Sequence, residues 1–174
     1  MNLCSILYLK GIEMMNRIVT LDGLTLTSRD VYDVAFGLAS VEIAQQSMMK
    51  VQLARDVVDR IVGGNETVYG INTGFGSLVN TKVSQDDVEQ LQINLIRSHA
   101  TGLGPNLPTE IVRAMMCVRL NSLVKGHSGC HPDVVNQLLD FINNSIHPLI
   151  PRIGSLGASG DLAPLSHLAC ALVG

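Results

Sequence analysis

Three small residues near the end of the chain, Ala158-Ser159-Gly160, could do chemistry with their own backbone. The glycine nitrogen is unshielded and the flanking side chains are small, so the Gly160 nitrogen can approach the Ala158 carbonyl carbon. Ring closure with loss of water, and loss of the Ser159 hydroxyl as a second water, would leave a five-membered ring bearing a methylidene carbon. Such an electrophile can take up an amine and make it a better leaving group. The tripeptide alone favours the ordinary interpretation, a Gly-rich turn capped by Asp161 at the start of a helix.

A second candidate segment is the glycine-rich stretch 68–76, VYGINTGFG, which contains Tyr69. Three glycines and an Asn-Thr pair in nine residues predict a loop with unusual backbone freedom. Glycine permits the positive φ values that a closing loop requires, so Asn72, Thr73, Gly74 and Gly76 are predicted to shape it. Without further information, Tyr69 is interpreted as a partly buried loop aromatic.

His99 lies on the apolar stripe of a predicted helix, one turn after Leu95. A hydrogen-bonded core histidine is the ordinary interpretation of that pattern. An imidazole there could also exchange hydrogen bonds with a polar ring of a substrate, and such a site would reject a plain phenyl ring.

Other chemical patterns fail on their spacing. Ser159 does not fit the G-x-S-x-G elbow of hydrolases, because the second residue after it is Asp161. His127, Cys130 and His131 resemble half of a zinc site, but Gly129 and the following proline disfavour a helix that would align them, and no second pair occurs. We therefore predict no metal site.

Composition narrows the class of protein. The 174 residues carry a net charge of -3, which offers no basic patch for nucleic acid or for a membrane surface. Four unpaired cysteine positions form no disulfide or CxxC pattern, which favours a reducing cytoplasm. Charged residues make up only 16% and hydrophobic residues 47%, so we expect an oligomer or a piece of something larger.

Helical periodicity dominates the chain and predicts a mainly α fold. Residues 1–15 are interpreted as a disordered or misassigned extension, and 16–174 as one domain portion. From Ser28, the predicted N-cap, to Val62 we predict two helices or one bent helix. The further predicted helices run from Ser84 to Gly102, Thr109 to Lys125, Asp133 to Asn144 and Leu162 to Val173. Short strand-like pieces are predicted within 17–26. Pro148 and Pro151 predict an extended segment between the last two helices.

Four separate motifs carry a resemblance to a known family. They are VYGINTGFG, LQINLIRSHATGLG, LNSLVKGHSG and GSLGASGDLAPLSHLA, in this order along 16–174. Together they resemble the aromatic amino acid ammonia-lyase family, and its histidine-specific members most. The resemblance implies that 16–174 is the N-terminal portion of the helical ammonia-lyase fold, which belongs to the fumarase/aspartase-like superfamily and has a Gly-rich active-site loop. Compared with that fold, we expect this portion to be truncated after the helix that follows Ala-Ser-Gly.

The resemblance also implies roles for individual residues. Ala158, Ser159 and Gly160 would form 4-methylidene-imidazol-5-one (MIO) without an external cofactor, supported by Leu156, Gly157 and Asp161. Tyr69 would be the catalytic base, which requires a lowered pKa because a free phenol, with pKa about 10, is protonated at neutral pH. Asn72, Gly76, Ser98 and His99 would contact the substrate. His127 and His167 are interpreted as structural.

The implied reaction is elimination of ammonia from L-histidine to give trans-urocanate, in a cytoplasmic homotetramer. A tyrosine ammonia-lyase and an aminomutase with the same prosthetic group are the alternatives within the family. The alternative of another class is a catalytically silent helical fragment that associates with other chains.

Overall fold

The computed structural model of the chain describes residues 17–64, 66–73, 85–156 and 162–174, without the side chains of 85–89. These residues form six helices and four short strands, so the prediction of a mainly α fold is confirmed. The helices are α1 (Ser28–Ala35), α2 (Gln45–Val62), α3 (Gln85–His99), α4 (Thr109–Leu123), α5 (Pro132–Asn143) and α6 (Leu162–Val173). The strands are β1 (Ile18–Leu21), β2 (Ser40–Ile43), β3 (Leu103–Asn106) and β4 (Pro151–Ile153).

The chain divides into two compact units. The first runs up to Gln52 and adds Pro108–His147, and the second contains Leu53–Leu107 and Pro148–Gly174. The predicted extension over 1–15 lies outside the described residues. No helix in the described parts of the chain is long and apolar enough to cross a membrane.

The first unit contains a parallel strand pair that the sequence did not predict. β1 lies within the strand-like stretch predicted at 17–26, and it pairs with β2 in the register Ile18↔Ser40 to Leu21↔Ile43. Of the two options predicted for 28–62, two helices is confirmed, and only the helical prediction for 36–44 is wrong. Gly37 has φ 69°, which ends α1 and lets the chain turn into β2. The carboxamide of Asn143 then pairs with both backbone groups of Val41, at 2.9 Å each.

The N-cap of α1 is Thr27, and the prediction of Ser28 is wrong by one residue. The Thr27 side chain accepts from the Asp30 backbone N–H, and the Asp30 carboxylate accepts from the Thr27 N–H, which together form a capping box. Hydrogen bonds from Thr27 hold the pKa of the Asp30 carboxyl below its usual value. Aspartate at the third helical position thus selects Thr27 over Ser28 as the cap.

A buried guanidinium, that of Arg113, joins the helices of the first unit. Its Nε donates to the Val34 carbonyl at 2.9 Å, and its Nη1 donates to the Ile142 carbonyl at 3.0 Å. These carbonyls belong to the last turns of α1 and α5, where the helix dipole favours a positive charge. Nη1 also lies 3.1 Å from Nε2 of His147. Burial, and then the charge on Arg113, lower the pKa of His147, so that the neutral ring can accept this bond.

We expect the substitution Arg113→Met to destabilise the first unit by about 1–3 kcal/mol, because two buried carbonyls lose a charged donor. Urea unfolding followed by circular dichroism measures this difference. Arg119→Met on the same helix is the matched control, since Arg119 is exposed. Equal midpoints for the two variants would contradict this role of Arg113.

The second unit carries the motifs that resemble the lyase family. β3 and β4 pair antiparallel, with Leu103 opposite Ile153. α3 packs against α6. The helix α3 ends at His99, three residues before the predicted end at Gly102. Buried apolar side chains are few among the described residues of this unit, namely Ile150, Ala163 and Leu168.

Candidate active site

The loop that holds Tyr69 is organised by the buried side chain of Asn72. The Asn72 Oδ1 accepts from the Val68 backbone N–H at 2.8 Å, and its Nδ2 donates to the Glu66 carbonyl at 2.7 Å. Asn72 is 5% exposed, whereas Tyr69 is 60% exposed. The turn between them passes through Gly70 at φ 79°, the left-handed region that glycine adopts without cost. The buried Asn72 side chain therefore holds the loop on its protein side, and the Tyr69 side chain lies mostly exposed on the solvent side.

The neighbouring Thr73 is also buried and accepts from the Gly70 N–H at 3.4 Å. The loop up to Thr73 thus has the glycine-dependent turn that its sequence predicts. Direct contact of Asn72 with a substrate stays a prediction, and the described role of its carboxamide is to hold the loop. Gly74 and Gly76 lie outside the described residues.

We expect Asn72→Asp to loosen this loop, since the carboxylate keeps an acceptor for Val68 but has no hydrogen to donate to the Glu66 carbonyl. Loss of one buried hydrogen bond should speed exchange of the Val68 and Asn72 backbone amides by about tenfold. Hydrogen exchange read by mass spectrometry measures this.

Asn94→Asp is the control for that experiment, because it makes the same chemical change at an exposed position of α3. Unchanged exchange at 66–73 in Asn72→Asp would show that the carboxamide does not hold the loop.

The imidazole of His99 is oriented by the last turn of α3. Its Nδ1 lies 2.9 Å from the Leu95 carbonyl oxygen and 3.0 Å from Oγ of Ser98, which itself donates to the same carbonyl at 2.8 Å. A carbonyl can only accept, so Nδ1 carries the proton, and in the neutral ring Nε2 keeps a free lone pair. Among the described residues, Nε2 of His99 has no hydrogen-bond partner. The ring is half-buried and offers an acceptor.

The remaining predicted site residues are close in sequence to α6. Leu156 is exposed and is the last described residue before the tripeptide, and α6 begins at Leu162. Like Gly74 and Gly76, the predicted residues Gly157, Ala158, Ser159, Gly160 and Asp161 lie outside the described parts. Tyr69, Asn72, Ser98, His99 and Leu156 all belong to the second unit. Because α3 packs against α6, the helix of His99 lies beside the helix that follows the tripeptide.

One polar contact in this unit was not predicted. Nε2 of His167, on α6, accepts from the backbone N–H of Gly102 at 3.0 Å. A histidine within an otherwise apolar helix is the only signal for such a bond in the sequence, and it does not identify the partner.

The structure also places His131, in the first unit, as N-cap of α5, where Nδ1 accepts from the Asp133 N–H at 3.3 Å. The part of the chain that the structure describes holds no group of three or more metal-ligating side chains.

Comparison with known proteins assigns this chain to a family. The profile of the aromatic amino acid lyases matches residues 26–174. The chain belongs to the aromatic amino acid lyase family. It is 50% identical over 156 residues to the histidine ammonia-lyase of Bacillus subtilis, covering 90% of this chain and 31% of that relative. It is 49% identical over 160 residues to the histidine ammonia-lyase of Streptococcus gordonii, covering 92% of this chain and again 31% of the relative.

Solved structures agree with this assignment. The histidine ammonia-lyase of Trypanosoma cruzi matches with a TM-score of 0.79 and 42% identity, over 88% of this chain and 28% of that one. The tyrosine aminomutase of Streptomyces globisporus matches with a TM-score of 0.81 and 42% identity, over 87% and 28%. An ergothionase from Treponema denticola matches with a TM-score of 0.83 and 34% identity, over 88% and 31%. The chain therefore spans about 30% of the length of the relatives that it matches.

Proposed function

We propose that this chain supplies the N-terminal part of the active site of an ammonia-lyase that converts L-histidine into trans-urocanate and ammonia. Membership of the aromatic amino acid lyase family supports the reaction class. Identity of about 50% to histidine ammonia-lyases supports histidine as the substrate. The observation that carries the proposal is the hydrogen bond between Nδ1 of His99 and the Leu95 carbonyl.

That hydrogen bond determines what His99 can recognise. With the proton on Nδ1, Nε2 of His99 accepts a hydrogen bond from the imidazole N–H of a histidine substrate. A phenyl ring has no donor, so phenylalanine would leave the acceptor unpaired in the closed site. Ser98 contributes indirectly, because its hydroxyl lies beside Nδ1 and restrains the ring.

The other roles follow the order of the reaction. The MIO group that Ala158, Ser159 and Gly160 are proposed to form supplies an electrophile for the substrate. The residue types fit that group, because Ala158 and Gly160 leave the ring-closing approach unhindered, and the described neighbours Leu156 and Leu162 are exposed. We assign to Tyr69 the removal of the proton on the substrate β-carbon, which allows the amine to leave as ammonia. Gly157 and Asp161 are proposed to support the prosthetic group, and Gly76 to contact the substrate.

The mass of the peptide that contains Ser159 tests the prosthetic group. We expect a deficit of two waters relative to the sequence, and a Ser159→Ala variant should lack the second of these losses. An unmodified mass in an enzyme that deaminates histidine would contradict the assignment of the electrophile. An unmodified mass together with no activity would favour the silent helical fragment.

A second test concerns substrate choice. In the gene product extended downstream to the length of the relatives, we expect His99→Leu to lower kcat/KM for histidine by at least about tenfold, since one recognition hydrogen bond is lost. The same change should narrow the preference for histidine over phenylalanine. Urocanate and cinnamate formation, followed by ultraviolet absorbance, measure both.

Ser98→Ala is the control for this test, because Nδ1 of His99 keeps the Leu95 carbonyl as its acceptor in that variant. We expect a loss no larger than about threefold. A His99→Leu enzyme with unchanged discrimination would contradict the recognition role of His99.

Tyrosine is the second candidate substrate, because a phenol O–H can donate to the same Nε2 lone pair of His99. The similarity to a tyrosine aminomutase supports this alternative. The products separate the candidates: urocanate from histidine, coumarate from tyrosine by elimination, and β-tyrosine by an aminomutase.

The site is proposed to be complete only in a longer or assembled protein. Leu103 and Leu149 in the second unit are each more than 70% exposed, so this unit presents apolar surface that further chain or another subunit could bury. The homotetramer that the family resemblance implies, in the cytoplasm, would cover such a surface.

A further inference from the structure

The bond between His167 and Gly102 links two helices of the second unit. Gly102 lies three residues after His99, just beyond the end of α3, and His167 lies in the middle of α6. The Gly102 N–H donates to Nε2 of His167 at 3.0 Å, so Nε2 is unprotonated and the proton of the neutral ring is on Nδ1. The bond spans 65 residues of sequence.

The backbone around Gly102 is closely surrounded. A Cβ atom at Gly102 would lie 2.9 Å from Nε2 of His167 and 2.9 Å from Cβ of Pro151. A Cβ atom at Gly154, which has φ 133°, would lie 3.0 Å from Cα of Gly102. There is little room to place another acceptor for the Gly102 N–H without moving one of these segments. Removing the histidine acceptor would leave that N–H unpaired or displace the segment.

The segment from His99 to Gly102 transmits this restraint to the imidazole of His99. The Thr101 N–H donates to the His99 carbonyl at 2.9 Å, and the Ala100 N–H donates to the Ile96 carbonyl at 3.1 Å. Gly102 is the next residue and binds α6 instead of its own helix. A three-residue link therefore joins His167 to the residue whose Nε2 is proposed to recognise the substrate.

We propose that His167 is a positioning residue for substrate recognition: its Nε2 acceptor holds the segment after α3 and so sets the place of the His99 imidazole. This inference rests on the proposed function of His99. It assigns to His167 a role that an apolar residue of similar size cannot fill. Glutamine can fill it, because Oε1 of glutamine reaches the position of the histidine Nε2 and accepts a hydrogen bond.

Hydrogen exchange on the chain itself tests the contact. In His167→Leu we expect the Gly102 amide to exchange at least about tenfold faster, and in His167→Gln we expect most of the protection to return. His127→Leu is the matched control, since His127 is exposed in the turn after α4. Equal exchange at Gly102 in the wild type and His167→Leu overturns the proposal, as does failure of His167→Gln to restore it.

Kinetics of the downstream-extended enzyme test the consequence. With the two-water mass deficit at Ser159 intact, His167→Leu should raise KM for histidine by about fivefold while kcat falls by less than about twofold, and His167→Gln should restore KM. An unchanged KM for histidine in His167→Leu, or an equal rise of KM in His167→Leu and His167→Gln, overturns the positioning role. A wild-type enzyme without the mass deficit or without urocanate production would refute the proposed function instead, and the exchange at Gly102 would still decide the contact.

Discussion

The close approach of Gly102 to Pro151, Gly154 and His167 is the constraint on which the second unit depends. It brings together the end of α3, the segment around β4 and the middle of α6, which are far apart in sequence. Only glycine fits at Gly102, because a single extra carbon would overlap both a ring nitrogen and a proline side chain. Few apolar side chains are buried in the described residues of this unit, so this steric fit and the bond from Gly102 to His167 act together with the pairing of β3 and β4 and the packing of α3 on α6.

Polar side chains complete the backbone hydrogen bonding at several places in the described residues where a helix, a strand or a turn ends. Arg113 caps the last turns of α1 and α5, Asn143 pairs with the edge of β2, and Asn72 closes the loop of Tyr69. Arg113 removes the cost of two buried carbonyls without a partner, and Asn143 and Asn72 pair with backbone groups that are partly buried. Of the residues proposed for chemistry, Tyr69 lies on such a loop and His99 at such a helix end.

The contrast between His99 and His167 shows how an imidazole acquires a role from its partners. Both rings are half-buried and both carry the proton on Nδ1 when neutral. At His99 the Leu95 carbonyl accepts the hydrogen bond of Nδ1–H, and Nε2 has no partner among the described residues. At His167 a backbone N–H occupies the acceptor nitrogen, so the ring serves as a fixed support. These partners are the reason that we propose recognition for His99 and positioning for His167.

The sequence by itself determined the mainly α class, the ends of most helices and the family, because periodicity, caps and long ordered motifs are local properties. It could not determine that 36–44 leaves the helix, since Val41 and Ile43 are extended by pairing with β1, whose partner residues lie 22 positions earlier in the chain. The cap at Thr27 and the loop-holding role of Asn72 depend on partners within six residues, and the sequence pattern did not select these partners from their neighbours. The partner of His167, 65 residues away, was decided by tertiary contacts. A hydrogen bond needs an acceptor at a particular point in space, and the chain reaches that point only after its distant segments have packed.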